Sequence, residues 1–575
     1  MSELQPTDYS DLERSGLRRA RPTLILFGVA LLMLIGLLLI FKKPIGGDAQ
    51  KSIHAILSCL ALALIASFRL LRPLVARGLL VVLLTFAVAN MLRFSHERIG
   101  HIDRHDVTCY YLGAKYAPEL GPFGLYPAVV YVDQTHRRQA DMKKTYWAQN
   151  RDGFTRQRLS HARKEGKRLK KTAFEKARYK EFEKDVLYLQ REMGRDRFRA
   201  FLNDKGFNGT PGWLLYAHPL MNWIPAKAMI WLVSLDLVFL GVGTLLVAST
   251  FGLDTALFLW LFLCVSISTK WLIPGSAILR YDWLALLIVA MCLIKRGINW
   301  LAGVAAALSG TFRIFPAVWI YGPVTRLAFQ LWTAGKGRRL KYSAAMLSLV
   351  ASFFVTTVVW QGLAVQHIGK EIAVDHAIKL KDHTSSEMIS SKRPGLAIAL
   401  SYAGEVKRKR MSDKQRERIE DFAVPRLGLA LALLLTLAWA LRRKTATEAF
   451  AFGYLPFFLL STGTYYYHVA RVTLVIFHAY QLVRAGRSSI VSDTELLENA
   501  TSRDPNLVRV LAFTLRHQVG LAFFFLLEVH SNLMFYFFSG QEVFWTGWLS
   551  RALFGYAVGM TVWLIFENKR LASSE

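Results

Sequence analysis

TLILFGVALLMLIGLLLIF, residues 23–41, carries no charged side chain over 19 positions. Rising about 1.5 Å per residue, such a helix covers a hydrocarbon core of about 30 Å. A secretory signal peptide has a shorter apolar region and a small-residue cleavage site, so the run reads as an uncleaved span. Further apolar stretches follow at 53–70, 74–93, 226–249, 254–272, 282–295, 298–311, 313–331, 342–364, 425–442, 447–463, 466–484, 508–538 and 544–566, which makes about 14 candidate spans. Over 575 residues the chain is 53% hydrophobic, with 15 Trp, 21 Tyr and 37 Phe, and this apolar content comes in runs. The fold class is therefore all-α, a polytopic membrane protein. The runs at 282–295 and 298–311 are too short to cross upright, so they are expected to form a short helical hairpin bordering a cavity.

Lys and Arg in short connections set the orientation. Arg18, Arg19 and Arg21, then Arg69, Arg72 and Arg77, then Lys295 and Arg296, fall on one face; Lys336, Arg338, Arg339 and Lys341, Arg442, Arg443 and Lys444, Arg484 and Arg487, and Lys569 and Arg570 join them. The positive-inside rule makes that face cytoplasmic. The expected segments are a cytoplasmic tail at 1–22, N-terminal spans at 23–93, an extracytoplasmic loop at 94–225, a membrane core with the short hairpin at 226–364, a second extracytoplasmic loop at 365–424, and C-terminal spans with a cytoplasmic tail at 425–575.

Both long loops are themselves basic, with Lys164, Lys167, Arg168, Lys170 and Lys171 in one and Lys407, Arg408, Lys409 and Arg410 in the other. Long loops translocate largely regardless of charge. The excess of 72 Lys+Arg over 41 Asp+Glu favours anionic membrane lipid or lipid phosphate as partner; no nucleic-acid motif accompanies it. Phe154 to Phe207 alternates basic residues with aromatics at helical spacing, which predicts one or two amphipathic helices lying on the membrane or capping its helices.

Cys59, Cys109, Cys264 and Cys292 are scattered, without C-x-x-C spacing, and the chain has no Walker A loop, dinucleotide fingerprint or H-E-x-x-H. No cofactor and no metal site is indicated, so energy for any reaction comes with the substrate.

The first long loop opens with HDVTCYYLGAKYAPELGPFGLY (105–126) and closes with DKGFNGTPGWLL (204–215); RYDWLALL (280–287), GVAAALSGTFRIFPAVW (303–319) and STGTYYYHVARVTLV (461–475) follow. In order and topology these segments resemble bacterial members of the GT-C superfamily of polytopic glycosyltransferases, over most of residues 74–484. The resemblance implies a GT-C-like core and transfer of a sugar from a polyprenyl-phosphate carrier to a glycan, lipid or protein acceptor on the outer face of the bacterial inner membrane.

It also implies an acidic general base in the first large external loop. The matching residue is Asp106, with Asp103 as the near alternative; a carboxylate takes the acceptor hydroxyl proton as the bond to the departing phosphate breaks. Without the resemblance, Asp106 reads first as an ion pair or helix cap with Arg104 or His105. The leaving phosphate needs cations, and Arg280 and Arg313 are the best placed, with His468 and Arg471 as further candidates. The competing reading puts Arg280 in an ion pair with Asp282 or another internal carboxylate and His468 in an aromatic belt. Lys115, Tyr110 and Tyr466 are candidate substrate-binding residues, although a lone interfacial Lys more commonly snorkels. Two other functions fit the same sequence: a transporter or flippase of lipid-linked saccharide, and a noncatalytic envelope-assembly subunit.

Overall fold

The computed structural model describes residues 25–26, 28–41, 43–99, 102–150, 153–203, 206–269, 277–333, 339–384, 389–499, 505–538 and 540–572. It is 82% helical. Seven of the described helices are long and apolar enough to cross a membrane: Gly47–Leu70, Pro73–Met91, Ala226–Phe251, Ser343–Ile368, Ala423–Leu441, Thr514–Phe537 and Glu542–Asn568. The architecture is that of a helical membrane protein.

The other apolar runs form shorter pieces, because an apolar run need not be one helix. Gly28–Ile40, Leu253–Val265 and Ala446–Leu460 are apolar helices of 10–17 residues. The run at 313–331 is broken after Arg313 by Ile314 at φ +21°, a 3-10 turn over Phe315–Ile320 and a new helix over Tyr321–Thr333.

The chain divides into two compact units, described here separately. One comprises Gly100–Leu253, Ser268–Phe477 and Phe537–Glu575. It opens with α1 (Arg104–Lys115), α2 (Ala117–His136), the hairpin β1 (Thr145–Asn150) and β2 (Gly153–Arg158), then α3 (Leu159–Thr172), α4 (Lys176–Met193), α5 (Arg195–Phe201) and α6 (Pro211–Trp223). The strands pair antiparallel with Thr145 opposite Arg158. Membrane-type helices follow as α7 (Met229–Phe251), α8 (Asp282–Lys295), α9 (Asn299–Phe312) and α10 (Arg339–Ile368), and α11 (Lys370–Thr384) extends beyond α10. At 14 residues each, α8 and α9 are about 21 Å long, short of a bilayer core; Gly297 at φ +80° turns the chain between them.

Local chemistry explains the start of α1 and of α6. Asp103 caps α1 by accepting the His105 N–H at 3.1 Å. Thr210 caps α6 by accepting the Trp213 N–H at 3.0 Å, and Pro211 occupies the first turn, where its missing N–H costs nothing. The Gly-Thr-Pro-Gly motif is thus a helix start. Gly212 is required there because a Cβ would lie 2.9 Å from both the Cβ and the carbonyl oxygen of Thr311.

The polar segment around α3 to α5 packs on α1 and α2. Gly166 of α3 lets that helix sit against α2, where a Cβ would fall 2.1 Å from the Pro127 carbonyl oxygen. Tyr116, Phe174, Tyr179 and Phe182 form one aromatic cluster beneath it. Three helices and the second strand of the hairpin therefore stand where one or two amphipathic helices were expected, and their aromatics fill a core.

The other unit comprises Met1–Ile99, Asp254–Ile267 and His478–Tyr536. Arg77 binds Asp254 through two hydrogen bonds of 2.6 and 2.9 Å, and buried Glu528 accepts the Ile267 N–H at 3.1 Å. Intramembrane charges are costly unless paired in this way.

Candidate functional site

The N-terminal turn of α1, the segment before α8 and the end of α9 bring three charged groups together. Asp106 lies on the first turn of α1, and its Oδ2 accepts from a terminal nitrogen of Arg280 at 3.2 Å. The other terminal nitrogen of Arg280 donates to the Tyr110 hydroxyl at 2.5 Å. The Arg280 guanidinium carbon stands 4.2 Å from the Tyr110 ring centroid and that of Arg313 5.5 Å from the same ring. One aromatic ring therefore serves two cations, each attracted by its negative face.

The positions of these arginines are built into the backbone. Asp236 of α7 accepts the backbone N–H groups of Arg280 and Tyr281 at 2.8 and 2.9 Å. Asp282 accepts from Trp213 Nε1 at 3.0 Å and from the Tyr216 hydroxyl, so its carboxylate is committed to α6, and the internal ion pair of Arg280 forms with Asp106 instead of Asp282. Leu279, just before Arg280, has φ +49°, and Ile314, just after Arg313, has φ +21°. Non-glycine residues avoid this region, a β-branched one most of all. The surroundings hold each arginine beside a strained residue.

Arg313 is only 5% exposed, and its Nε and one terminal nitrogen have no hydrogen-bond partner. It lines a cavity of about 450 Å³. Four more basic residues, His376, Lys379, Arg393 and Arg426, share that lining, whereas Ile314, Phe315, Val318, Leu459 and Leu460 make it greasy. No carboxylate is among its described lining residues. Burial, with help from Lys379 and Arg313, pushes the His376 imidazole down to about 4, so it is neutral at neutral pH. Beside the cavity, Arg280, Tyr281, Trp283, Arg313, Tyr466 and Tyr467 enclose a narrow crevice.

Asp106, Tyr110, Arg280, Arg313 and Tyr466 thus fall in one neighbourhood. The remaining sequence candidates are engaged elsewhere. Asp103 is the cap of α1. Lys115 is 3% exposed, with Nζ 2.7 Å from both Asp185 and Glu181 of α4, so it is a buried anchor and does not snorkel. His468 lies between the Tyr454 hydroxyl at 2.6 Å and the Pro394 carbonyl at 3.2 Å, and Arg471 donates to the His468 carbonyl at 2.9 Å and to Ser268 at 3.2 Å. All four stand outside the 450 Å³ cavity. Sequence reading passed over His376, Lys379, Arg393 and Arg426, which sat among the many charges of the second long loop and the start of the following span.

The cluster can hold an anion through guanidinium forks while apolar walls receive a hydrocarbon chain. Among the described residues no group of three or more His, Cys, Asp or Glu is arranged to hold a metal. No protein-family model, curated protein or solved structure matches the chain.

Proposed function

We propose that the protein is a multi-pass enzyme of the bacterial inner membrane that transfers a sugar from a polyprenyl-phosphate donor to a cell-envelope acceptor, in the manner of a GT-C glycosyltransferase. In this reading the chain makes about 14 passages, including short ones, and both long loops face away from the cytoplasm. The observation that carries it is Arg313: a buried guanidinium with donors unspent, opening on a cavity with cations, apolar walls and no described carboxylate. A lipid-linked phosphate supplies both things the cavity lacks, negative oxygens and a hydrocarbon chain.

The chemistry needs one base. The bond between the sugar's anomeric carbon and the phosphate oxygen breaks, the acceptor oxygen bonds to that carbon, and its proton passes to Asp106. The electron pair leaves on the phosphate, where Arg313 and Arg280 stabilise it. In the ligand-free arrangement Arg280 holds Asp106 at 3.2 Å; a phosphate that draws Arg280 to itself frees the carboxylate.

The test separates the steps. Asp106→Asn abolishes transfer while membrane insertion and undecaprenyl-phosphate binding persist; full turnover by this variant removes Asp106 from the mechanism. Arg313→Ala weakens undecaprenyl-phosphate binding roughly 10- to 100-fold, the scale of a lost charge-assisted hydrogen bond, and unchanged affinity sinks the phosphate assignment. A second reading, a transporter of lipid-linked saccharide, draws on the same cavity, with no carboxylate among its described lining, and on the pairing of Asp106 with Arg280. It predicts that Asp106→Asn leaves function intact.

A further inference from the structure

A second cavity, of about 570 Å³, lies among α2, the β1–β2 hairpin, α3 and α11, outside the candidate membrane-crossing helices. Its lining differs in kind from that of the first. Phe123, Tyr126 and Tyr146 contribute aromatic surface, and Gln157, Glu165 and Asp375 contribute hydrogen-bonding groups. Carboxylates beside cations make it a poor receptacle for a phosphate, and its polar groups make it a poor one for a hydrocarbon tail.

The fold builds this space deliberately. The path of α2 kinks at Gly121, which adopts φ +56° ahead of Pro122, and Leu120, Pro122, Phe123 and Gly124 around the kink all line the cavity. Gly166 brings α3 hard against α2, where a Cβ would fall 2.1 Å from the carbonyl oxygen of Pro127, itself a lining residue. The volume falls within the roughly 300–1,000 Å³ typical of small-molecule sites.

An oligosaccharide has the matching chemistry. Its C–H faces lie on aromatic rings, and its neighbouring hydroxyls both donate to carboxylates and accept from amide and ammonium groups. One residue links this cavity to the first. Lys379 lines both, is 3% exposed and donates to the Pro122 carbonyl at 3.1 Å. Gly206, at φ +90°, passes so close that a Cβ there would sit 3.0 Å from the Lys379 Nζ.

We propose that the second cavity is a saccharide-binding site, set against the phosphate cavity through the shared Lys379. That its saccharide is the acceptor of transfer rests on the function proposed above; that it binds saccharide does not. The occupant is a short, hydroxyl-rich chain whose end points toward Lys379.

The experiment uses the full-length protein in lipid nanodiscs, with linear trisaccharides of glucose, galactose, mannose and arabinose as probes, read by saturation-transfer difference NMR. At least one trisaccharide binds saturably, and Gln157→Ala and the isosteric Asp375→Asn each weaken it roughly tenfold or more, about one decade in Kd. Arg313→Ala leaves this binding unchanged and weakens undecaprenyl-phosphate binding. Retained undecaprenyl-phosphate binding in Gln157→Ala and Asp375→Asn shows that both variants are folded. No saturable binding by any of the four sugars, or binding in both variants as strong as in the unaltered protein, overturns the saccharide site. Unchanged undecaprenyl-phosphate affinity in Arg313→Ala overturns the phosphate reading and leaves the saccharide site standing.

Discussion

Tyr110 shows how one side chain can make two costly ones tolerable. Its ring faces the guanidinium groups of both Arg280 and Arg313, and its hydroxyl accepts from Arg280. Tyr110→Phe keeps the ring and removes the acceptor, so undecaprenyl-phosphate affinity falls by less than in Tyr110→Ala, which loses both; equal losses would assign the effect to the hydroxyl alone. Lys115 offers a purely structural contrast. Burial lowers its affinity for a proton, but the hydrogen bonds its ammonium donates to Asp185 and Glu181 outweigh that and raise its pKa to about 12 from 10.5. The sign follows: this contribution to stability is fully present below pH 10.5 and is lost as pH rises through about 12. Lys115→Met removes that alkaline step from a melting-temperature profile, and an unchanged profile contradicts the buried pairing. Asp185 keeps the Tyr116 hydroxyl at 2.8 Å and Glu181 keeps Arg178 at 2.8 Å, so the loss stays below the about 3–5 kcal/mol of a buried charge left with no partner.

Among elements, the informative positions are those where helices touch or the backbone is forced. Gly166→Val drives a side chain into the Pro127 carbonyl and lowers the melting temperature, by about 1–3 kcal/mol of overpacking or more. Gly428→Val, where nothing lies within 4 Å of the new Cβ, is the control and changes little. Ile314→Gly releases backbone strain of about 1–3 kcal/mol, so stability holds or rises while Arg313 loses its fixed direction and phosphate binding weakens; a large fall in stability would show that packing of the Ile314 side chain outweighs the strain. Helices of this kind were legible from apolar runs such as 53–70 and 342–364, because hydrocarbon leaves the backbone no partner but itself. Breaks inside runs were not, since Ile314 reads as one more apolar residue and only the three-dimensional route of Arg313 requires its φ. Asp103 illustrates the same limit: the choice between capping and catalysis depends on where a helix begins, to within a residue or two.

At the scale of the whole molecule, two properties govern behaviour. Trp231, Leu245, Val358 and Leu435 on candidate spans are all more than 60% exposed, and apolar surface of this kind demands lipid or detergent. Alkaline carbonate washing leaves the protein in the membrane fraction; its release into the supernatant would contradict the membrane-spanning fold. The net charge of +31 predicts tighter association with vesicles rich in anionic lipid, weakening as salt is added. Overall charge was readable at once, but its local meaning was not. Lys379 and Arg393 look like ordinary loop cations in the sequence, and only the packing of distant segments places them around one cavity with Arg313.

The lack of a carboxylate among the described lining of that cavity bears on how the protein is handled at the bench. Such an enclosure selects by charge sign and greasiness, not by identity, so bile-salt and alkyl-sulfate detergents resemble the lipid phosphate proposed for it closely enough to compete. On the proposed function, undecaprenyl-phosphate binding lost in cholate returns on exchange into a neutral maltoside, and discrimination among lipid phosphates falls to surfaces that read what the phosphate carries.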